Sequence, residues 1–153
     1  MIRINKLRMP ESFTNSCFGA IIVLSQRGGD TEMKIRGNKA IVTGGSRGIG
    51  LKIAKELAEA GVSVVITGRN ADSLSKAAAE SGAVPVVWDI SDIKRMKEKF
   101  DECVGILGGF DILVNNAGVF DPVGWGMGML NVTEGDWDRV MDVNLKAAFF
   151  MMQ

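Results

Sequence analysis

From Lys39 to the end of the chain, short apolar runs alternate with longer stretches whose apolar residues have helical spacing. The short runs predict four strands, because each is bounded by glycine or polar residues and lacks the spacing of a helix. They cover residues 40–42, 62–67, 84–88 and 112–114. Because helical stretches separate the strands, the pattern predicts an α/β fold with a doubly wound parallel sheet.

Glycines and polar caps bound the predicted helices. These helices run from about Gly48 to Gly61, over 71–80 with Gly82 as C-cap, from Ser91 as N-cap to about residue 104, and from a capping box of Thr133 and Asp136 to Gln153. The pattern therefore predicts a helix after every strand.

Residues 1–32 lie outside this alternation and are predicted to be an N-terminal extension, either disordered or upstream of a true start at Met33. Residues 33–153 are predicted to form one domain. The apolar run 18–24 follows Arg3, Lys6 and Arg8, which imitates a signal peptide, but no cleavage site accompanies it and it is too short to span a membrane. We therefore expect a cytoplasmic protein that has no membrane partner.

Composition removes several classes of function. Lys plus Arg and Asp plus Glu both number 18, so no excess positive charge favours nucleic acid. The chain has two cysteines and no histidine, which argues against a metal site and against hydrolase triads that need an imidazole base. Small molecules are the expected partners.

A glycine-rich turn between the first strand and the first helix provides the main chemical signal. After Thr43 it reads Gly44, Gly45, Ser46, Arg47, Gly48, Ile49 and Gly50. Gly44 allows a tight turn, Gly48 close approach of a ligand, and Gly50 packing of helix on strand. A flexible turn is the alternative, but glycines between a strand and a helix N-terminus are typical of a pyrophosphate site.

The spacing Thr-Gly-x-x-x-Gly-x-Gly resembles the cofactor fingerprint of the short-chain dehydrogenase/reductase family, in particular reductases of the 3-oxoacyl carrier-protein type. The resemblance covers residues 33–153 and implies a Rossmann-type sheet that is truncated here after the fourth strand and the following helix. It implies a nicotinamide cofactor, a small carbonyl or alcohol substrate and, for the full-length form, a homo-oligomer.

Charge at the end of the second strand bears on the choice of cofactor. NAD is commonly held there by a carboxylate, but this sequence has Gly68 followed by Arg69. Arg69 and Arg47 could neutralise a 2′-phosphate, so NADP(H) is the preferred cofactor and NAD(H) the alternative. Two solvated surface arginines would be the simpler explanation of the same residues.

Two further elements match the family in order. The resemblance places Asp89 at the adenine amino group and Ile90 in the adenine pocket, although an aspartate at this place could also cap a helix. After the predicted fourth strand, Asn115, Asn116, Ala117 and Gly118 match the family's Asn-Asn-Ala-Gly element beside the cofactor ribose, and the last three are the predicted cofactor residues; a turn would be the plainer interpretation.

Asn144 is the one catalytic residue that the resemblance assigns to this chain. It is predicted to share a face of the last helix with Trp137, Met141 and Ala148. In the family, the asparagine at this position helps to hold a water of the proton relay. The alternative is that Asn144 has only a structural role in the core. The serine, tyrosine and lysine that complete the family's tetrad are absent, and the chain has no tyrosine at all. We therefore expect a fragment of a hydride-transferring oxidoreductase, inactive alone; a non-catalytic NADP(H)-binding module and an inactive truncated gene product are the alternatives.

Overall fold

The computed structural model describes residues 21–24, 37–119 and 129–153. Its elements in chain order are β1 (Ile21–Leu24), β2 (Lys39–Thr43), α1 (Gly48–Glu59), β3 (Ser63–Gly68), α2 (Ala71–Ser81), β4 (Val84–Val87), a 3-10 turn (Ile93–Arg95), α3 (Met96–Leu107), β5 (Ile112–Asn115), a second 3-10 turn (Met129–Asn131), α4 (Glu134–Met141), a π-helix (Asp142–Lys146) and α5 (Ala147–Met151). The four strands predicted from the apolar runs are confirmed.

One sheet contains all five strands in the order β1-β5-β2-β3-β4. β2 pairs in parallel with both β3 and β5, and β3 pairs in parallel with β4. Counted along the chain, the four parallel strands therefore lie in the order third, second, first, fourth. That order is the one of the Rossmann-type doubly wound sheet, which confirms the predicted fold class.

The remaining strand, β1, lies antiparallel beside β5 at the edge of the sheet. Ile21 is opposite Asn115, and Leu24 is opposite Ile112. The sequence pattern did not predict this strand, because its partner lies far along the chain and local periodicity carries no sign of it. The structure describes these four residues as a strand, while the rest of residues 1–32 and the boundary at Met33 lie outside the described residues, so the nature of the extension stays a prediction.

Helices cover both faces of the sheet, so the core has two layers. One layer lies under α1 and α2 and includes Val42, Ile53, Ile66, Leu74 and Val114. The other lies under α3 and the C-terminal helix and includes Ile41, Trp88, Cys103, Leu113 and Ala147. Among the described residues, no helix has both the length and the apolar character that crossing a membrane requires.

The third helix begins later than its predicted N-cap. The Ser91 hydroxyl donates to Asp89 Oδ1 at 2.7 Å, and the chain passes through a 3-10 turn before α3 starts at Met96. No side chain caps α3. The prediction of Ser91 as N-cap was wrong because the 3-10 turn Ile93–Arg95 separates Ser91 from the first residue of α3.

The last helix opens as predicted and then departs from the prediction. Thr133 and Asp136 form the expected capping box, but a π-helix interrupts the helix before α5. The residues it buries are Val143, Ala147 and Met151, whereas Trp137 is 60% exposed and Asn144 is also exposed. The predicted face was therefore wrong. Apolar residues surround the helix over 149–152, so periodicity alone does not select a face, and the π-turn changes the spacing.

Candidate cofactor-binding site

The carboxyl ends of β2 and β5 meet at the point where the strand order of the sheet reverses. β2 is followed by α1 on one face, whereas β5 is preceded by α3 on the other. In open α/β sheets such a reversal leaves a crevice beyond the strand ends, and ligands bind there. The glycine-rich turn after β2 and residues 116–118 after β5 line this place.

Glycines in the turn are required by its packing. Gly44 has φ +68°, and a Cβ there would lie 2.8 Å from Ala117 Cα. A Cβ on Gly45 would lie 2.6 Å from Ile66 Cβ, and one on Gly50 would overlap the Gly44 carbonyl and the Asn116 amide. The turn therefore packs against both β3 and the segment after β5, which confirms the tight turn expected at Gly44.

Gly48 differs from the other glycines of the turn. Its φ is +57°, and a Cβ added there would meet nothing within 4 Å among the described residues. The first residue of α1 therefore faces open space with an unobstructed main chain. Free N–H groups at a helix N-terminus attract anions, so this geometry fits a phosphate group.

Thr43 joins the two sides of the crevice. Its hydroxyl accepts from Asn116 N and from Ala117 N, both at 3.0 Å, and donates to Val114 O at 3.2 Å. The side chain is 1% exposed, so these bonds replace the water that a hydroxyl would otherwise bind. Sequence reasoning gave Thr43 no role; the available signal was a hydroxyl at the end of a buried strand.

The Asn116 side chain completes the connection. Its amide nitrogen donates to the carbonyls of Thr43 and Gly44 at 2.9 and 3.1 Å. Asn116 therefore fixes the shape of the turn through its side chain, and contact with the cofactor stays a prediction for Asn116, Ala117 and Gly118.

Asn144 holds the segment that follows Gly118. Its Oδ1 accepts from Val119 N, and its Nδ2 donates to Val119 O, both at 2.8 Å. A side-chain amide here pairs with the main chain as a neighbouring strand would. This clamp brings the π-helix to the same crevice as the glycine-rich turn, so the structure gathers Asn144 with the predicted cofactor residues.

These features together match a known family. The family model for short chain dehydrogenases matches residues 38–153. The chain belongs to the short-chain dehydrogenase family.

Relatives in this family include gluconate 5-dehydrogenase of Gluconobacter oxydans, which is 38% identical over 78% of this chain and 47% of that protein. The 3-oxoacyl-acyl-carrier-protein reductase of Aquifex aeolicus is 36% identical over 80% of this chain and 50% of that protein. The chain thus spans about half the length of the curated relatives it matches.

Solved structures of short-chain dehydrogenases share the fold. A Brucella melitensis 3-ketoacyl-(acyl-carrier-protein) reductase complexed with NADH is 30% identical, with a TM-score of 0.70 over 77% of this chain and 48% of that one. A dehydrogenase/reductase from Sinorhizobium meliloti is 38% identical, with a TM-score of 0.70 over 78% and 49%. At this identity the neighbours support the family as well as the fold.

Two arginines lie beside the glycine-rich turn and the end of β3. Arg47 precedes α1, Arg69 follows β3, and both are exposed. Neither forms an ion pair with any residue in the described part of the chain. A Cβ on Gly68 would lie 3.5 Å from Ser46 Oγ, so the hydroxyl lies over the glycine that replaces a carboxylate. The surface between the glycine-rich turn and the end of β3 therefore carries positive charge and a hydroxyl, and position 68 contributes no acidic group.

Asp89 and Ile90 follow β4 with different environments. Asp89 is exposed, and its Oδ1 accepts from the main-chain N–H of Ser91 at 3.1 Å and from the Ser91 hydroxyl. Ile90 is 7% exposed and packs in the core with Trp88. Asp89 is thus accessible to an adenine amino group, whereas little of Ile90 is accessible, and both assignments stay predictions.

Cys103 is the one cysteine among the described residues, and it is a fully buried residue of α3. Burial, which would deprive the thiolate of its hydration, and the nearby Glu102 charge together raise the pKa of its thiol to about 12. The thiol therefore stays protonated near neutral pH and has a packing role.

Proposed function

We propose that this chain binds NADP(H) in the crevice beyond β2 and β5, and that it is the cofactor-binding part of an oxidoreductase acting on a small carbonyl or alcohol. The observation that carries the proposal is the unobstructed main chain at Gly48, at the N-terminus of a helix. A side chain there would occupy the space that a pyrophosphate needs. Bound NADP(H) supplies the hydride donor or acceptor of the reaction.

Positions around the turn suggest how the chain's own residues would hold the cofactor. Main-chain N–H groups at the start of α1 would bind the pyrophosphate, while Thr43 and Asn116 keep the turn in shape. Ala117 and Gly118 are small, so a ribose could approach the carboxyl edge of the sheet. Asn144 would keep the segment at Val119 beside the reacting end of the cofactor.

The preference for NADP(H) over NAD(H) rests on charge. Arg47 precedes α1 and Arg69 follows β3, both are exposed, and the Ser46 hydroxyl lies near Gly68, so the two arginines would pair with a 2′-phosphate bound at the end of β3. Charge-assisted hydrogen bonds from arginine are stronger than neutral ones, so the added phosphate favours binding. A carboxylate at position 68 would instead accept from a free 2′-hydroxyl and repel the phosphate.

Titration of the full chain with NADPH and NADH by calorimetry tests this proposal. NADPH should bind at least about tenfold more tightly, which corresponds to about 1.4 kcal/mol. Arg69→Ala should weaken NADPH and leave NADH unchanged, and Gly68→Asp should reverse the preference. Arg139→Ala, which removes an exposed arginine on α4, is the matched control. Tighter binding of NADH would refute the charge argument, and binding of neither nucleotide would refute the site itself.

A second candidate is a non-catalytic NADP(H)-binding module. The observation that favours it is the absence of tyrosine and histidine from the sequence, which leaves two frequent general acids unavailable for protonating a carbonyl oxygen. The two candidates agree for this chain alone and differ in whether the complete protein turns over a carbonyl or alcohol. We propose that the chain alone binds NADP(H) without turnover, so carbonyl-dependent oxidation of NADPH by the purified chain would contradict this.

The cellular setting completes the proposal. We infer a cytoplasmic protein, since the two cysteines of the sequence provide no disulfide framework of the kind that is frequent in small secreted domains. We also infer a homo-oligomer for the complete enzyme. Fractionation of cells that express a tagged chain, and size-exclusion chromatography with light scattering, test these two inferences.

A further inference from the structure

A buried amide without a partner lies at the carboxyl end of β5. Asn115 is 6% exposed, and both its Nδ2 and its Oδ1 lack a hydrogen-bond partner among the described residues. A buried polar group is normally hydrogen-bonded, because leaving it unpaired costs about 1–3 kcal/mol. Asn115 is unusual in having an unpaired donor and an unpaired acceptor on one side chain.

Neighbouring polar groups cannot supply the partner. Side chains alternate along β5, so Asn115 faces the same side as Leu113, which packs in the layer under α3 and the C-terminal helix. The next polar residue across the ladder is Thr43, since Val42 is in register with Val114. The Thr43 hydroxyl already donates once and accepts twice, which is its full capacity. The partner of Asn115 must therefore be a group outside this network.

We propose that Asn115 binds an ordered internal water. A water can accept from Nδ2 and donate to Oδ1, and so satisfies both groups of the amide at once. The proposed water site lies at the end of the strand that leads into residues 116–118. It would anchor this strand end, and Asn115 would act as a positioning residue for the crevice. The proposal does not depend on which nucleotide binds.

Trp88 provides an internal control within the same core layer. Its indole Nε1 is also buried and unpartnered among the described residues, and the side chain is 4% exposed. The indole offers one donor and no acceptor, whereas buried waters usually make about three hydrogen bonds. We therefore expect a water at Asn115 and none at Trp88.

Water-edited NMR of the full, nitrogen-15-labelled chain tests the proposal. The Asn115 side-chain amide should show a cross-peak to a long-lived water, and the Trp88 indole should show none. Asn115→Leu assigns the signal by removing it, and Asn115→Ala does so if the leucine variant does not fold. Absence of the Asn115 cross-peak would overturn the proposal, as would equal cross-peaks at both groups, because that would indicate general solvent entry.

Stability gives a second, independent measurement. If the amide is hydrated, Asn115→Leu removes the partner of an ordered water, and the urea midpoint should fall or stay unchanged. If the amide is unpaired, leucine relieves the cost of burying it, and the midpoint should rise. A raised midpoint would therefore overturn the water site whatever the result of nucleotide titration.

Discussion

Two asparagines hold main-chain segments at the crevice, and their surroundings differ. Asn116 binds the carbonyls of Thr43 and Gly44 from a half-buried position beside a fully buried hydroxyl. Asn144 binds both main-chain groups of Val119 from an exposed position on a π-helix. The first segment is fixed by core packing as well as hydrogen bonds, whereas the second depends on one side chain that water can reach. The glycine-rich turn should therefore be the rigid side of the crevice.

The largest loss of stability is expected from a substitution at Gly50, where close packing keeps the glycine-rich turn rigid. Gly50→Ala places a Cβ against the Gly44 carbonyl and the Asn116 amide, and main-chain atoms cannot move aside cheaply. We expect a loss of about 3 kcal/mol in the free energy of unfolding, with loss of nucleotide binding. Urea denaturation measures the first, and calorimetry the second.

Gly105 offers the matched control for this substitution. It lies inside α3 with no described atom within 4 Å of an added Cβ, so Gly105→Ala should stabilise the chain by about 0.5–1 kcal/mol. Equal effects of the two substitutions would contradict the close packing inferred at Gly50.

Thr43→Val should have the next largest effect. Valine keeps the shape of the side chain but removes the hydroxyl that pairs with the Ala117 N–H; the Asn116 N–H and the Val114 carbonyl lose one bond each and keep the bond between them. We expect a loss of about 2 kcal/mol in stability. Thr43→Ser retains the hydroxyl and should recover most of it. If Thr43→Ser lowers the stability as much as Thr43→Val, then packing of the methyl group, and not the hydroxyl, holds the two sides of the crevice together.

A smaller effect is expected on the exposed side of the crevice. Asn144→Ala removes two hydrogen bonds to Val119, but water can replace them, so we expect a loss of about 1 kcal/mol at most. Hydrogen exchange should become faster at Val119 and stay unchanged at Leu113 in β5. Lys146→Ala, which breaks an exposed ion pair with Asp142 on the same helix, is the control. Unchanged exchange at Val119 would contradict the clamp.

Features that depend on local sequence could be predicted, whereas features that depend on contacts between distant residues could not. The four parallel strands and the glycine-rich turn follow from local pattern and from the conformational freedom of glycine, and both are confirmed at Gly44 and β2. The pairing of β1 with β5 depends on residues far apart in the chain, so local pattern gives no sign of it.

Competition between polar side chains limits prediction in a similar way. Ser91 carries a helix-capping side chain, yet its hydroxyl binds Asp89 two residues earlier. The hydroxyl of Thr43 binds residues of another strand, which only the sheet brings near. Trp137 was assigned to the buried side of a helix whose phase depends on a π-turn. Only the partners of Thr43 are set by tertiary structure; at Ser91 and in the last helix the deciding feature is local and competes with the pattern that the sequence suggests.

The smallest effect is expected at the start of α4, and it depends on pH. The Thr133 hydroxyl and main-chain N–H both donate to Asp136 Oδ2, at 2.6 and 3.0 Å, and these bonds lower the pKa of the Asp136 carboxyl. A lowered pKa in the folded state means that the stabilisation is present above the unfolded value of about 3.9. It is lost as the pH falls through the lower folded value, when the carboxylate gains a proton.

Urea midpoints at pH 6 and pH 3 for the parent and for Asp136→Asn measure this loss. The parent should be slightly more stable than the variant at pH 6, and the difference should shrink at pH 3, because the neutral carboxyl accepts more weakly. Asp138→Asn changes a second exposed aspartate on α4 outside the capping box and should give no comparable difference. A difference that is independent of pH, or one that Asp138→Asn reproduces, would mean that the carboxylate acts through the helix dipole or net charge. In that case the capping bonds would not be what fixes the start of the helix that carries Asn144.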